Sequence, residues 1–146
     1  MLQVTKIFRF EMAHAIHGYE GACKHLHGHS YELQVTVKQA AVADGYLDAP
    51  GFVIDFKVLK GLVQTHVINL LDHRLVLSHA YLQQHPFIKE APNLFVWNAE
   101  PSAENLLVFV QQQLQQHLPT GVKLAALKLY ETADSFAEWV DDSKQQ

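Results

Sequence analysis

Residues 10–35 read FEMAHAIHGYEGACKHLHGHSYELQV, and the reading of this stretch decides the fold. Chain on both sides of its central loop, which carries Gly18 and Gly21, alternates in polarity. Upstream, over residues 2–13, Leu2, Val4, Phe8 and Phe10 fall on one side and Gln3, Thr5 and Arg9 on the other, with a brief irregularity at Lys6 and Ile7. Downstream, Tyr31, Leu33, Val35 and Val37 alternate with Glu32, Gln34, Thr36 and Lys38. A period of two is the pattern of a strand with one face in a core and one in water. Two half-buried strands therefore flank the loop.

The same stretch concentrates side chains that bind metals. His14 ends the first strand, and His27-Gly28-His29 places two imidazoles at i and i+2, which extended chain puts on one face. Zinc held by three neutral imidazoles keeps a fourth position for water or substrate, the arrangement of a catalytic rather than a structural site. Cys23, the one cysteine, lies four residues before His27. A nearby dication would favour its thiolate. From spacing alone it could be a fourth ligand closing the site, a nucleophile, a general base or a buried apolar side chain. His17, His25, His66, His79, His85 and His117 read as solvated or core side chains.

Working outward, DGYLDAPG (44–51) reads as a turn, and Phe52-Val53-Ile54 as a continuation of strand pairing. Asp55 is placed to cap a helix whose apolar positions are Phe56, Leu59, Leu62, Val63 and Val67. A second helix begins at Ser102, with Ala103, Leu106, Leu107, Val110, Leu114 and Leu118 as its apolar stripe and Gln111–Gln116 on its polar side. Pro119 and Gly121 end it. Strands over 122–131 and 135–140, joined by Thr132-Ala133-Asp134, close the chain, while 75–100 reads as irregular with exposed aromatics Phe87, Phe95 and Trp97. The expected fold is α+β, a four-stranded antiparallel sheet with both helices on one face in the order ββααββ, as one domain over 1–146. Its two open edges invite pairing with other copies.

Whole-chain properties narrow the function classes. An apolar content of 49% with 18% charged residues describes an ordinary globular chain. The net charge of −4 and the lack of a basic stripe argue against nucleic acid as the partner. No apolar run is long enough to cross a bilayer, and the N-terminus alternates instead of forming a signal-peptide core. A lone cysteine suits a reducing compartment, so the expected location is cytoplasmic.

Three further positions carry groups suited to chemistry. Asp72-His73 ends the first helical segment, where the acid could orient the imidazole or raise its basicity; a solvated helix-terminal histidine is the plainer reading. Glu131 ends an apolar strand and could accept two parallel N–H groups from a guanidine-like ligand edge, or simply be a solvated terminus. Glu104 sits in a first helical turn, where the helix dipole alone accounts for an acid.

Taken in order, F-x-x-A-H (10–14), C-x-x-x-H-G-H-S-Y (23–31), V-I-D-F (53–56), L-D-H (71–73), P-S-A-E-N (101–105) and Y-E-T (130–132) resemble the 6-pyruvoyl-tetrahydropterin synthase family. They are most similar to its bacterial branch, the 6-carboxytetrahydropterin synthases. The resemblance covers roughly 5–135. It implies the tunnelling fold, in which sheets of several subunits join into a barrel with helices outside. It also implies a trimer or hexamer with active sites shared between subunits. The implied zinc ligands are His14, His27 and His29, the implied catalytic groups Cys23, Asp72 and His73. Ser102, Glu104 and Glu131 would meet the pterin, with serine standing at 102 where the family more often has threonine. The implied reaction converts 7,8-dihydroneopterin triphosphate to 6-carboxy-5,6,7,8-tetrahydropterin with loss of triphosphate and acetaldehyde, on the way to queuosine and other deazapurines.

Two details favour that branch. Three residues separate Cys23 from His27, fewer than is usual in pyruvoyl-forming animal enzymes, and V-I-D-F has the bacterial form. Cys23 also stands where folate-pathway members carry glutamate. The 75–100 segment is longer than in compact bacterial members and could cover the site or a subunit contact. A pyruvoyl-forming synthase and a zinc-binding module without turnover remain the alternatives. By proximity alone, Lys24 and His25 are the nearest basic residues for a triphosphate.

Overall fold

The computed structural model describes residues 1–41 and 45–143. Alternation of polarity produces strands where expected. β1 (Gln3–His14) pairs antiparallel with β2 (His27–Gln39), with His14 opposite His27. β5 (Val122–Thr132) lies antiparallel beside β2, and β6 (Ser135–Val140) beside β5. β2 begins four residues earlier than Tyr31, so the His27-Gly28-His29 triplet is itself strand. A bulge opposite Thr36 and Val37 shifts the register and leaves Ala125 without a partner on β2. Leu124 and Leu127, three apart, consequently both reach the core.

The sheet departs from the expected four antiparallel strands. Within the stretch read as irregular, β3 (Arg74–Ser78) runs parallel to β1, and β4 (Leu94–Trp97) runs parallel to β3. The sheet is mixed and six-stranded, in the order β4-β3-β1-β2-β5-β6. Short unbroken apolar runs such as Leu75-Val76-Leu77 and Leu94-Phe95-Val96-Trp97 show no period, so alternation cannot reveal them. Between them, a short helix, His79–Gln84, and a 3₁₀ segment, Pro86–Glu90, make the crossover that parallel strands require. Of the aromatics there, Phe87 is exposed, whereas Trp97 is buried and packs with Phe95 against Phe109. Phe52-Val53-Ile54 is not strand; Val53 and Ile54 are buried from a bend. The expected turn over 44–51 closes with Gly51 N–H donating to the Asp48 carbonyl at 2.7 Å, while Asp44 lies outside the described residues.

Helices begin at the expected caps. Asp55 accepts from Lys57 N at the start of α1 (Phe56–Val63), which continues through a π-helical turn, Gln64–Ile68, into α2 (Asn69–Leu71). α3 (His79–Gln84) is capped by Ser78, and α4 (Ala103–Gln115) by Ser102, whose Oγ accepts from Asn105 N at 3.2 Å. Leu59, Val63, Val67 and Leu71 with Leu106, Val110 and Leu114 cluster on Phe8, Phe10, Leu33, Val35, Leu127 and Leu129. One sheet face therefore carries the main helices, as expected, and His14, His27 and His29 lie along that face. Ser102→Ala removes a cap and is expected to lower stability by about 1 kcal/mol, read as a shift in the denaturant midpoint with an unchanged slope.

Candidate active site

Strand register brings the three sequence-singled histidines together. His14 ends β1 directly across from His27, and His29 follows on the same face. The ring centroids of His14 and His27 are 4.5 Å apart, those of His27 and His29 4.8 Å, and those of His14 and His29 5.2 Å. Each offers a ligand atom within 4.8 Å of the others.

Backbone carbonyls fix how two of these rings face. His14 Nδ1 lies 2.7 Å from the Pro101 carbonyl, and His27 Nδ1 lies 2.7 Å from the His25 carbonyl. A carbonyl only accepts, so each Nδ1 carries the proton and donates. Each Nε2 then presents a lone pair, and the two are 2.9 Å apart. Two facing lone pairs at that range repel unless a cation lies between them. His29 Nε2 is buried without a hydrogen-bond partner among the described residues, its nearest charge being Glu131 Oε1 at 3.6 Å. Burial pulls the His14 and His29 pKa below the ordinary value of 6.5, more than the opposing Pro101 and Glu131 effects raise it. Both rings are thereby biased to the neutral form that binds metal. Three convergent imidazoles, two of fixed tautomer and one with an orphaned buried nitrogen, fit a divalent ion such as zinc.

A cavity of about 720 Å³ opens beside them, walled by His14, Cys23, Ser102, Glu104 and Glu131 among others. Cys23 sits half-buried in a 3₁₀ turn, Ala22–Lys24, which Ile16 N–H ties down by donating to the Cys23 carbonyl at 2.8 Å. Its sulfur is not part of the donor group formed by the three histidines. Tyr31 lies under the rings, its phenol pKa pushed up by burial and further by Glu131 and Cys23.

Asp72 and His73 are placed differently. Their Oδ1 and Nδ1 atoms are 3.0 Å apart, and Asp72 Oδ1 also accepts from Glu11 N at 2.9 Å. His73 adopts φ +60°, held by its N–H donating to the Glu11 carbonyl and by Asn93 Nδ2 donating to its own carbonyl. The acid and the imidazole are thus in contact, on a His73 side chain that is 78% exposed. Within one chain, however, His73 lines a separate cavity with Glu11, Gly28 and His29, not the one that holds Cys23.

The 6-pyruvoyl tetrahydropterin synthase profile matches residues 3–141. The chain belongs to that family. It is 29% identical over 143 residues to the 6-carboxy-5,6,7,8-tetrahydropterin synthase of Haemophilus influenzae, covering 95% of this chain and 99% of the relative. It is 31% identical over 122 residues to the dihydroneopterin monophosphate aldolase of Pyrococcus furiosus, covering 84% and 82%. The Caenorhabditis elegans 6-pyruvoyl tetrahydropterin synthase structure superposes with a TM-score of 0.66 at 20% identity, over 97% of this chain and 96% of that one, a likeness of fold.

Two residues of this family member's site escape sequence reading. Pro101 acts through its carbonyl on His14, a role any residue type could fill. Glu100 accepts from His17 N at 2.7 Å, and its carbonyl accepts from Asn105 Nδ2 at 2.9 Å, so it staples the β1–β2 loop to the start of α4. Its place just before a helix cap is the only hint of that in the sequence.

Proposed function

We propose that the protein is a zinc-dependent lyase converting 7,8-dihydroneopterin triphosphate to 6-carboxy-5,6,7,8-tetrahydropterin, with triphosphate and acetaldehyde as the other products, in the queuosine and deazapurine route. One observation carries the reading: His14 of the imidazole trio shares a single cavity with Cys23, Ser102, Glu104 and Glu131. The similarity to the Haemophilus influenzae synthase along nearly its whole length supports the branch.

His14, His27 and His29 would hold the ion, which when bound supplies Lewis acidity beside the substrate's hydroxylated side chain and makes neighbouring C–H protons easier to remove. Glu131 accepts N–H groups of the pterin's amino-pyrimidine edge, and Ser102 and Glu104 border the ring. Cys23 as thiolate takes a proton from the side chain, and His73, oriented by Asp72, gives or accepts one. Since Cys23 and His73 wall different cavities of one chain, the pair meets at a site shared between subunits of a homo-oligomer. The sheet edges β4 and β6 are the surfaces through which copies would join.

Incubating the zinc-loaded protein with 7,8-dihydroneopterin triphosphate and weighing the products tests this. The carboxy product with stoichiometric acetaldehyde is expected. Pyruvoyl-tetrahydropterin without acetaldehyde would move the protein to the other branch, and no turnover by the zinc-loaded protein would leave a metal-binding module.

A further inference from the structure

The loop that joins β1 to β2 carries Cys23 in a single 3₁₀ turn, Ala22–Lys24. So short a turn holds a side chain in place only if other elements hold the turn. We propose that Tyr81 and Glu100 are positioning residues that clamp this loop from two sides and so fix the Cys23 thiol beside His14. The effect on rate rests on the reading of Cys23 as the proton-transferring thiol; the clamp itself does not.

The hydrogen bonds form a continuous path across the loop. Ile16 N–H donates to the Cys23 carbonyl at 2.8 Å, which draws the two ends of the loop together. The chain neighbours of these two residues are each tied outward. On one side, His17 N–H donates to Glu100 Oε1 at 2.7 Å, just before α4. On the other, the Lys24 carbonyl accepts from the Tyr81 hydroxyl on α3 at 3.3 Å. Cys23 therefore sits in the middle of a bridge from α3 to the start of α4.

Both anchors are themselves fixed. Tyr81 is buried, and with Leu77, Leu82 and Ile88 it builds a small second core around Ala15. Ala15 is the first residue after β1 and is fully buried, so packing grips the loop where it begins. Tyr81 N–H is satisfied by the Ser78 cap at 3.0 Å, and burial raises the phenol pKa, which keeps the hydroxyl a donor. Glu100 offers a carboxylate, whose bonds to N–H groups are charge-assisted and strong. Its own carbonyl accepts from Asn105 Nδ2 and from Ser102 N, both at 2.9 Å, which ties it to the first turn of α4. The adjoining Pro101 carbonyl orients His14, so one dipeptide references both the thiol loop and an imidazole of the trio. The stretch 75–100 thus acts as a platform under the Cys23 loop.

Tyr81→Phe keeps the ring and its packing, and Glu100→Ala keeps the backbone bonds, so both proteins should fold and retain zinc. A misplacement of about 1 Å in a reacting group costs up to about 100-fold. In the zinc-loaded full chain, kcat is expected to fall about 3- to 10-fold in Tyr81→Phe and about 10- to 100-fold in Glu100→Ala. KM should stay within about twofold, and Glu100→Gln, which keeps an acceptor oxygen, should recover most of the rate. In a Cys23→Ala background neither change should lower kcat further, because residues that act through the thiol then have nothing to position. Alkylation by iodoacetamide reads the thiol without turnover, since Cys23 is the one cysteine. It should run about 10-fold faster in Tyr81→Phe and Glu100→Ala than in the parent protein, as the half-buried turn opens more often. Alkylation no faster than the parent's would overturn the clamp, and so would rate losses of equal size with and without Cys23. If the pterin triphosphate is not turned over, the alkylation comparison alone decides for or against it.

Discussion

His27→Ala is expected to release the metal and abolish turnover while leaving the fold in place. On the proposed reading three imidazoles would share the ion, and the His27 ring supplies the lone pair facing His14 Nε2 at 2.9 Å. Losing an outer partner of a ligand typically costs 10- to 100-fold in metal affinity, so losing a ligand should cost at least roughly 100-fold. If the ion contributes about 4 kcal/mol to the transition state, the rate falls by about three orders of magnitude. Strand pairing through this position uses backbone groups that alanine keeps, and the His27 side chain is only half-buried, so secondary structure should survive. Metal analysis after dialysis, kcat and far-UV dichroism read the three consequences separately. A variant, or a chelated parent protein, that works at full rate would remove the ion from the mechanism.

The trio was legible in the sequence because the i, i+2 spacing of His27 and His29 needs only extended chain to bring the rings to one face. That His14 stands opposite His27 was not legible, since register depends on how the β1–β2 loop closes. Part of the fold followed from alternation: β1 and β2 each keep one face in the core and the other outside it, and β5 and β6 stand where closing strands were expected. The parallel strands β3 and β4 escaped because Leu75-Val76-Leu77 and Leu94-Phe95-Val96-Trp97 carry no period, and α3 is too short to show a helical one. Helix starts at Asp55 and Ser102 were readable since their side chains do the capping. Pro101, whose carbonyl does the work, left no trace in residue type.

Cys23→Ala should behave in the opposite way to His27→Ala: metal retained, turnover lost. The thiol lines the cavity beside His14 but stands apart from the imidazole donor group, so removing it leaves all three proposed ligands. A positioned acid or base contributes about 10²- to 10⁴-fold, and that is the loss expected in kcat. Cobalt in place of zinc gives a direct spectrum of the ligand set. The parent protein and Cys23→Ala should share one lacking an intense thiolate charge-transfer band, whereas such a band, vanishing together with the metal in the variant, would make Cys23 a ligand and the site closed. The position of His73 adds a second reading of the same variant. His73, beside Asp72, lines another cavity in one chain, so the proposed homo-oligomer would bring the thiol and the imidazole to one substrate from different copies. Inactive Cys23→Ala and inactive His73→Ala proteins, dissociated and reassembled together, should then recover activity that neither shows alone, because some mixed interfaces unite an intact Cys23 with an intact His73. Silence from the mixture, with both proteins folded and metal-loaded, would confine catalysis to groups within one chain and leave Cys23 without that partner.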